Sequence, residues 1–455
     1  MSPQATAPRP TNYRWVICGL LFFSTTVNYM DRNVIGYLKE FYCTPTDHGG
    51  FGWSNTDFSY LTSCFTGFYA GMTILAGWVI DKIGTKMGLA LSLIVWSVFG
   101  ILNAFVGRLV AMHIIVRSAF GIGEGGNFPA SIKTVAEWFP KRERALATGI
   151  FNSGSNAGAM IAAILVPWCM IYFGDQKGWK MAFILTGAAG FLWLVFWFWL
   201  YDTPARQKRL SKAEYDYIHC DDEVKTTRDA EASSDKAKVS WWKLFGYRQT
   251  WAFFFGKFMT DGVWWFYLFW LPDYLKKQFG MTKHEVMLPT FIVYGIAIVG
   301  SVYGGSIPMT FIKKGMPVYK ARMLSMFIIA LFPLVVLSTQ YFGDVGHFGK
   351  MAAVLAVATI CVGTSAHQAW SANLFTTVSD MFPKKAVGSV TGIGAMAGGL
   401  GGVILQLLPG ALTDAYKAAP QTAYFIMFIV CALSYLLAWG IMKALVPQHR
   451  PITDL

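Results

Sequence analysis

RWVICGLLFFSTTVNYMDRNVIGYLKEF, residues 14–41, is long and apolar enough to cross a bilayer, yet it carries Asp31 and Arg32 in its second half. A charged side chain at membrane depth costs about 2.5–3.5 kcal/mol even on lenient insertion scales. In a helix, Asn28, Asp31 and Arg32 are spaced at i, i+3 and i+4 and therefore share one face. That face must point away from lipid, toward a polar partner inside the protein.

A second charged run, residues 108–139, offers such a partner. RLVAMHIIVRSAFGIGEGGNFPASIKTVAEWF places Arg117 and Glu124 seven residues apart, two turns along one helix face. Two helices that each carry an acid and an arginine predict a polar chamber between them. We expect the rest of the chain to form the scaffold around that chamber and to change its conformation.

The composition excludes a water-soluble domain. Of the 455 residues, 55% are hydrophobic and only 14% are charged. The net charge of +13 lies mostly between apolar runs, as orientation signals do, so we expect a lipid bilayer and no nucleic acid as partner. The seven cysteines are scattered without a CxxC pair, so neither a disulfide framework nor a metal site is expected.

Twelve runs are long enough to span a membrane, which predicts an all-α membrane protein built from two six-helix halves. The spans are predicted near 14–38, 58–80, 87–107, 109–133, 145–173, 180–201, 250–275, 286–311, 322–341, 351–378, 386–413 and 422–445. The predicted layout is a cytoplasmic tail (1–13), a six-helix bundle (14–201), a cytoplasmic linker (202–249), a second six-helix bundle (250–445) and a cytoplasmic tail (446–455). The linker is too charged to bury a core and is expected to hold one short helix around 212–223.

The loops predict the orientation of the chain. Clusters of Lys and Arg fall in alternate loops, which the positive-inside rule places in the cytoplasm together with both termini. Lys276, Lys277 and Lys283 are exceptions on the other side. The first apolar run has no cleavage site before it, so we expect a retained helix and a multi-pass protein of the cell inner membrane.

The two halves look related in sequence. Phe139-Pro140-Lys141 recurs as Phe382-Pro383-Lys384 at a constant offset. Many transporters are built from such internal repeats and bind substrate near the membrane midplane between them.

The turn between the second and third spans carries a recognisable pattern, GWVIDKIGTK. One interpretation of this pattern is an ordinary charged turn. The other is that its glycines permit close approach of two helices while its charges stabilise one conformation; the residues concerned are Gly77, Asp81, Lys82 and Gly84. This order resembles the loop motif of the major facilitator superfamily. We therefore expect these four residues to act in conformational gating.

The resemblance extends over essentially the whole chain. It is similar to the anion:cation symporter branch of that superfamily, and most of all to bacterial hexuronate permeases. The motifs that carry this are NYMDR (28–32), Arg117 with GIGEG (121–125), EWFP (137–140) and WFYLFWLP (265–272).

The family implies roles for the charged residues. The acids that match Asp31 and Glu124 are its proton sites, and the arginine that matches Arg32 contacts substrate. We expect Arg117 to hold Glu124 charged until substrate or a proton releases it. Two alternatives remain open: a static ion-pair lock between helices, and an Arg32 that merely neutralises Asp31.

Further substrate contacts are expected from polar and aromatic residues inside spans. Each has a packing or structural alternative. Lys257 and Asp261, at i and i+4 in the seventh span, are expected to form a helical ion pair with a structural or gating role. Some sugar-acid relatives carry a substrate-contacting asparagine where this chain has Gly394 and Ala395. The candidate substrate residues are Arg32, Tyr29, Tyr69, Asn156, His367 and Trp370.

These features predict a secondary transporter, not an enzyme. We expect proton-driven uptake of an anionic sugar, a hexuronate such as galacturonate or glucuronate, by alternating access in a functional monomer with no cofactor besides the coupling proton. The alternatives are an aldonate or aldarate symporter, an uncoupled organic-anion exchanger, and a sugar-acid sensor that transports nothing.

Overall fold

A computed structural model describes residues 11–220, 241–448, 450 and 452, which are helical almost throughout. The outer parts of both predicted tails and the middle of the predicted linker lie outside the described residues. The first half contains α1 (Tyr13–Cys43), α2 (Asn55–Ile83), α3 (Thr85–Leu102), α4 (Val110–Glu124), α5 (Asn127–Trp138), α6 (Lys141–Tyr172) and α7 (Asp175–Leu200). Two short helices, α8 (Lys212–Ile218) and α9 (Trp241–Leu244), follow.

The second half is also helical. It contains α10 (Arg248–Phe279), α11 (Met287–Lys313), α12 (Val318–Leu331), α13 (Thr339–Phe342), α14 (Val345–Phe348), α15 (Met351–Met381), α16 (Lys384–Ala415) and α17 (Pro420–Leu445). Short 3₁₀ segments lie at Thr46–His48 and Phe332–Ser338.

Nine of the described segments are apolar and long enough to cross a membrane on length and composition alone. The three other predicted spans are α1, the α4–α5 pair and α10, which carry the buried charges. Together they make the predicted twelve-helix arrangement. The fourth span differs from the prediction because its helix is interrupted at Gly125 and Gly126. Just before this interruption, a Cβ on Gly123 would lie 2.5 Å from the backbone nitrogen of Trp96, so only glycine lets this segment lie so close to α3.

The halves contact each other through three helix pairs: α2 with α16, α6 with α11, and α1 with α10. Small residues permit this packing. A Cβ on Gly399 would lie 2.1 Å from the Cβ of Ala70, and one on Gly36 would lie 2.9 Å from the carbonyl oxygen of Leu268. The close contacts along α2 and α16 run from Ala70 toward the end of the bundle remote from the chain termini.

Polar contacts between the halves cluster at that remote end. The Lys39 ammonium lies 2.7 Å from Asp273, and both side chains are almost fully buried. Asp414 at the end of α16 accepts hydrogen bonds from the backbone N–H groups of Asn55 and Thr56 at the start of α2. We call this region the closed end and the opposite side of the bundle the terminal end.

The three lysines that broke the orientation pattern all lie at the closed end. Lys276 pairs with Glu40 at 2.6 Å, and Lys283 pairs with Asp175, so both join the second half to the first. Lys277 lies 3.1 Å from Asp273 within α10. Each of the three lysines is therefore paired with an acid in the folded protein.

Part of the predicted linker packs on the first half. Glu214 in α8 is fully buried and accepts hydrogen bonds from the Tyr13 backbone N–H and the Arg14 guanidinium. Arg14 also pairs with Glu143 of α6 at 2.8 Å. The described start of the linker therefore belongs to the first bundle, and α8 is shorter than the helix predicted around 212–223.

Candidate functional site

The predicted charged face of α1 lies inside the first half. Arg32 is 1% exposed, and its Nε donates to a Glu124 carboxylate oxygen of α4 at 2.8 Å. Its Nη2 donates to the side-chain oxygen of Asn28, one turn earlier, at 3.2 Å. Asn28 and Arg32 thus share a face as expected, whereas the Asp31 carboxylate lies beside α3, where a Cβ on Gly100 would be 4.0 Å from one of its oxygens.

Aromatic rings surround the same guanidinium. Its carbon lies 4.3 Å from the ring centre of Tyr29, 4.6 Å from that of Tyr69 and 4.9 Å from that of Trp265. Ring faces attract a cation electrostatically, most strongly where water is excluded. Trp265 belongs to α10, so both halves contribute to this arginine site.

Arg117 forms no ion pair with Glu124 among the described residues. Seven residues along a helix correspond to about 10 Å, too far for a direct bond between the two side chains unless they bend toward each other. Arg117 instead donates to the backbone oxygen of Arg32 at 2.8 Å and lies over the ring of Phe120. Its function in coupling stays a prediction.

Asp31 is 1% exposed, and neither of its carboxylate oxygens accepts a hydrogen bond of good geometry among the described residues, although the side chains of Thr186 and Trp96 lie close enough to interact with it. One oxygen of Glu124 is also without a partner there. The hydrogen bonds of Arg32 go to Glu124 and Asn28, so Arg32 is not simply the counter-ion of Asp31. A buried carboxylate without donors is costly as an anion.

The second half places its candidates differently. His367 of α15 stacks on Trp264 with ring centres 5.3 Å apart, and its Nδ1 lies 2.9 Å from the Tyr435 hydroxyl. Trp370 is fully buried, with its edge toward Tyr435. A sugar could stack on Trp370 only after that side chain is uncovered.

Lys257 and Asp261 form the predicted ion pair, with 2.6 Å between the ammonium nitrogen and the carboxylate. The ammonium also lies 4.7 Å from the ring centre of Phe375. In α6, Asn156 is 5% exposed and its side-chain oxygen has no partner among the described residues. The substrate role of Asn156 and the structural or gating role of Lys257 and Asp261 remain predictions.

The turn between α2 and α3 shows one predicted feature, a glycine in a conformation that favours glycine. Gly84 has φ +81°, a conformation that favours glycine, and it ends α2. Lys82 lies over the ring of Trp78 at 3.8 Å. A Cβ on Gly77 would meet none of the described atoms within 4 Å, so the expected close approach there is not observed. The side chain of Asp81 lies outside the described part of the chain.

Sequence reasoning missed three residues of the chamber and its closed end. The motif that contains Trp265 indicates no role for this side chain, although it faces Arg32. Lys39 and Asp273 form an ion pair that no motif predicts, and the Tyr424 hydroxyl also donates to Asp273. The signal was present for Lys39, which follows Arg32 by seven residues and so shares its helix face.

The comparisons with known proteins agree with this arrangement. The family model of the Major Facilitator Superfamily matches residues 21–406. The hexuronate transporter of Escherichia coli K12 is 30% identical over 443 residues, which cover 97% of this chain and 96% of that protein. The D-galactonate transporter of Escherichia coli O6:H1 is 28% identical over 448 residues, covering 97% and 99%.

The fold has solved counterparts as well. A D-xylose-proton symporter superposes with a TM-score of 0.72 at 16% identity, covering 97% of this chain and all of that structure. The likeness at this identity concerns the fold. From the family match, the nearly full-length relatives and the two packed halves, this chain belongs to the major facilitator superfamily of multi-pass membrane transporters.

Proposed function

We propose that the protein is a proton-coupled symporter of the cell inner membrane that takes up an anionic sugar, a hexuronate such as galacturonate or glucuronate. The observation that carries this proposal is the buried Arg32–Glu124 pair within three aromatic rings. Its relatives that transport hexuronate and galactonate support the same class of substrate.

The pair offers a simple physical basis for coupling. A guanidinium binds a carboxylate through a planar fork, and Glu124 already occupies one edge of the Arg32 fork. A proton on Glu124 would remove its charge and release that edge for the carboxylate of the substrate. Binding of proton and substrate would then favour each other, as symport requires.

Asp31 would be the second proton site. Its carboxylate is buried and accepts no hydrogen bond of good geometry among the described residues, so a proton removes a costly charge. Arg117, bonded to the backbone of Arg32, would transmit changes between the two acids. A carrier with all its charges compensated can change conformation more easily than one with an unpaired buried charge.

The test is uptake of labelled galacturonate by proteoliposomes with and without an inward proton gradient. We expect the gradient to drive accumulation. Glu124→Gln should lose accumulation but retain counterflow exchange, because binding and reorientation survive without the proton. Glu285→Gln, in an exposed loop, is the matched control and should behave as wild type.

Other outcomes would redirect the proposal. Accumulation by Glu124→Gln equal to that of wild type would contradict the assigned role of Glu124. Transport that ignores pH would indicate an exchanger. Binding of galacturonate without transport would indicate a sensor. If galacturonate does not bind, aldonates and aldarates are the substrates to test next.

A further inference from the structure

The ion pair of α10 is unusual for a membrane span. Lys257 and Asp261 lie well inside this helix, yet 9% and 21% of their side chains are exposed. Charged side chains in a span almost always face the bundle interior or a water-filled cavity.

Helix geometry directs the pair toward the arginine site. Lys257, Asp261 and Trp265 are spaced at i, i+4 and i+8 and so lie along one face of α10. Trp265 covers the guanidinium of Arg32. Beyond Trp265 the same helix closes on α1, at Gly36 and then at Lys39–Asp273. Lys257 and Asp261 lie on the other side of Trp265, toward the terminal end.

The neighbouring helix leaves room for the carboxylate. A Cβ on Gly398 of α16 would lie 2.1 Å from an oxygen of Asp261, and one on Gly401 would lie 1.8 Å from the carbonyl oxygen of Phe258. Any side chain at Gly398 would displace Asp261 from its present position. The glycines of α16 thus permit an acid of α10 to occupy this part of the wall.

We propose that Lys257 and Asp261 form a second subsite of the chamber, which binds the hydroxyl-bearing end of a sugar acid whose carboxylate is at Arg32. This inference rests on the proposed function. Four residues of helix rise about 6 Å, so Asp261 lies about one sugar-acid length from the level of Trp265. A carboxylate accepts hydrogen bonds from sugar hydroxyls, and an ammonium donates to their oxygens.

The subsite has a consequence for substrate class. A neutral, hydroxyl-rich end leaves the Lys257–Asp261 pair intact. A diacid would bring its second carboxylate against the like charge of Asp261. The carrier should therefore prefer monoacids such as galacturonate to diacids such as galactarate.

The experiment compares two unlabelled competitors, galacturonate and galactarate, in counterflow of labelled galacturonate. The ratio of their inhibition constants does not depend on how much protein is active. Wild type should favour galacturonate. Asp261→Asn should shift the ratio toward galactarate at least tenfold because Lys257 is left without its acid, and Lys257→Gln should shift it the other way.

Controls separate this inference from a purely helical ion pair. Asp344→Asn, in an exposed loop of the same half, is the control and should keep the wild-type ratio. A ratio within twofold of wild type in both Asp261→Asn and Lys257→Gln would overturn the subsite. If either single variant transports nothing, the double variant Lys257→Gln/Asp261→Asn, which carries no charge at the subsite, is tested in its place. Wild-type affinity for galacturonate in this double variant would overturn the subsite. Weakened affinity, in a protein that elutes from gel filtration like wild type, would support it. Absence of wild-type counterflow would instead overturn the proposed function.

Discussion

The two halves of the chamber differ in how completely their buried charged groups are satisfied. In the first half, both oxygens of Asp31, one oxygen of Glu124 and one terminal nitrogen of Arg117 have no partner among the described residues. In the second half, Lys257 and Asp261 are paired and His367 is bonded to Tyr435, and the unpartnered atom among the candidate residues is the uncharged indole nitrogen of Trp370. Unsatisfied buried charge is costly and persists where binding compensates for it. The difference suggests that protons and carboxylates exchange in the first half, while the second half contributes shape and hydroxyl contacts.

The largest effect that would test this comparison is expected at Arg32. Arg32→Ala should abolish transport and destabilise the protein, because removing one partner of a buried ion pair costs about 3–5 kcal/mol. Arg32→Lys keeps the charge but loses the planar fork, a charge-assisted bond of about 1.5–3 kcal/mol. We therefore expect roughly 10- to 100-fold weaker galacturonate affinity in counterflow.

The matched control for Arg32→Lys is Arg209→Lys, in the described start of the linker, where the guanidinium lies over the ring of Trp199. This variant should keep wild-type affinity. Affinity of Arg32→Lys equal to that of wild type would mean that the carboxylate binds elsewhere.

The next effect compares an aspartate from each half. Asp31→Asn should abolish accumulation driven by an inward proton gradient while counterflow persists, because an amide cannot take up and release the proton. Asp261→Asn should change selectivity and still accumulate galacturonate. Both are measured in the same proteoliposome assay. The assignment of proton exchange to the first half would be contradicted if Asp31→Asn still accumulated galacturonate along the proton gradient. It would be reversed if only Asp261→Asn lost that accumulation.

A smaller effect is expected at the closed end, where the halves meet. Asp273→Asn leaves the buried Lys39 without its acid, whereas Lys39→Met leaves Asp273 with Lys277 and Tyr424. We therefore expect Asp273→Asn to be the more disruptive of the two, with a cost of up to about 3–5 kcal/mol to the closed end. The readouts are the melting temperature and the rate at which a thiol reagent labels a cysteine placed at Ser59.

The control here is the rim pair Lys276–Glu40, whose acid is half exposed. Lys276→Gln should cost no more than about 1 kcal/mol and leave labelling unchanged. Equal labelling in Asp273→Asn and wild type would show that the buried pair does not hold the closed end.

Much of this architecture could be predicted from sequence, because it depends on local periodicity. Run length gave the twelve spans, and helical spacing gave the common face of Asn28 and Arg32. The pairing of Arg32 with Glu124 could not be predicted, because it depends on the relative height of two packed helices. Lys39 and Asp273 are 234 residues apart in sequence, and only the packing of α1 on α10 brings them together.

The contacts that bury the candidate residues of the second half could not be predicted from sequence either. His367 and Trp370 form a polar group typical of a binding site in sequence, yet α17 supplies Tyr435 to both. A sequence pattern identifies which side chains need partners. It does not identify whether the partner is another helix or a ligand.

The smallest effect is expected at His367, and it tests that distinction. Tyr435→Phe removes one hydrogen bond, worth about 1 kcal/mol, and leaves the stacking of His367 on Trp264. Galacturonate affinity should fall by roughly fivefold at most. The pH profile of transport should match that of wild type in both Tyr435→Phe and His367→Asn, because a histidine held by protein groups is not needed as a proton carrier. A shifted profile in His367→Asn alone would assign proton exchange to the second half too, and the contrast between the halves would then be one of degree.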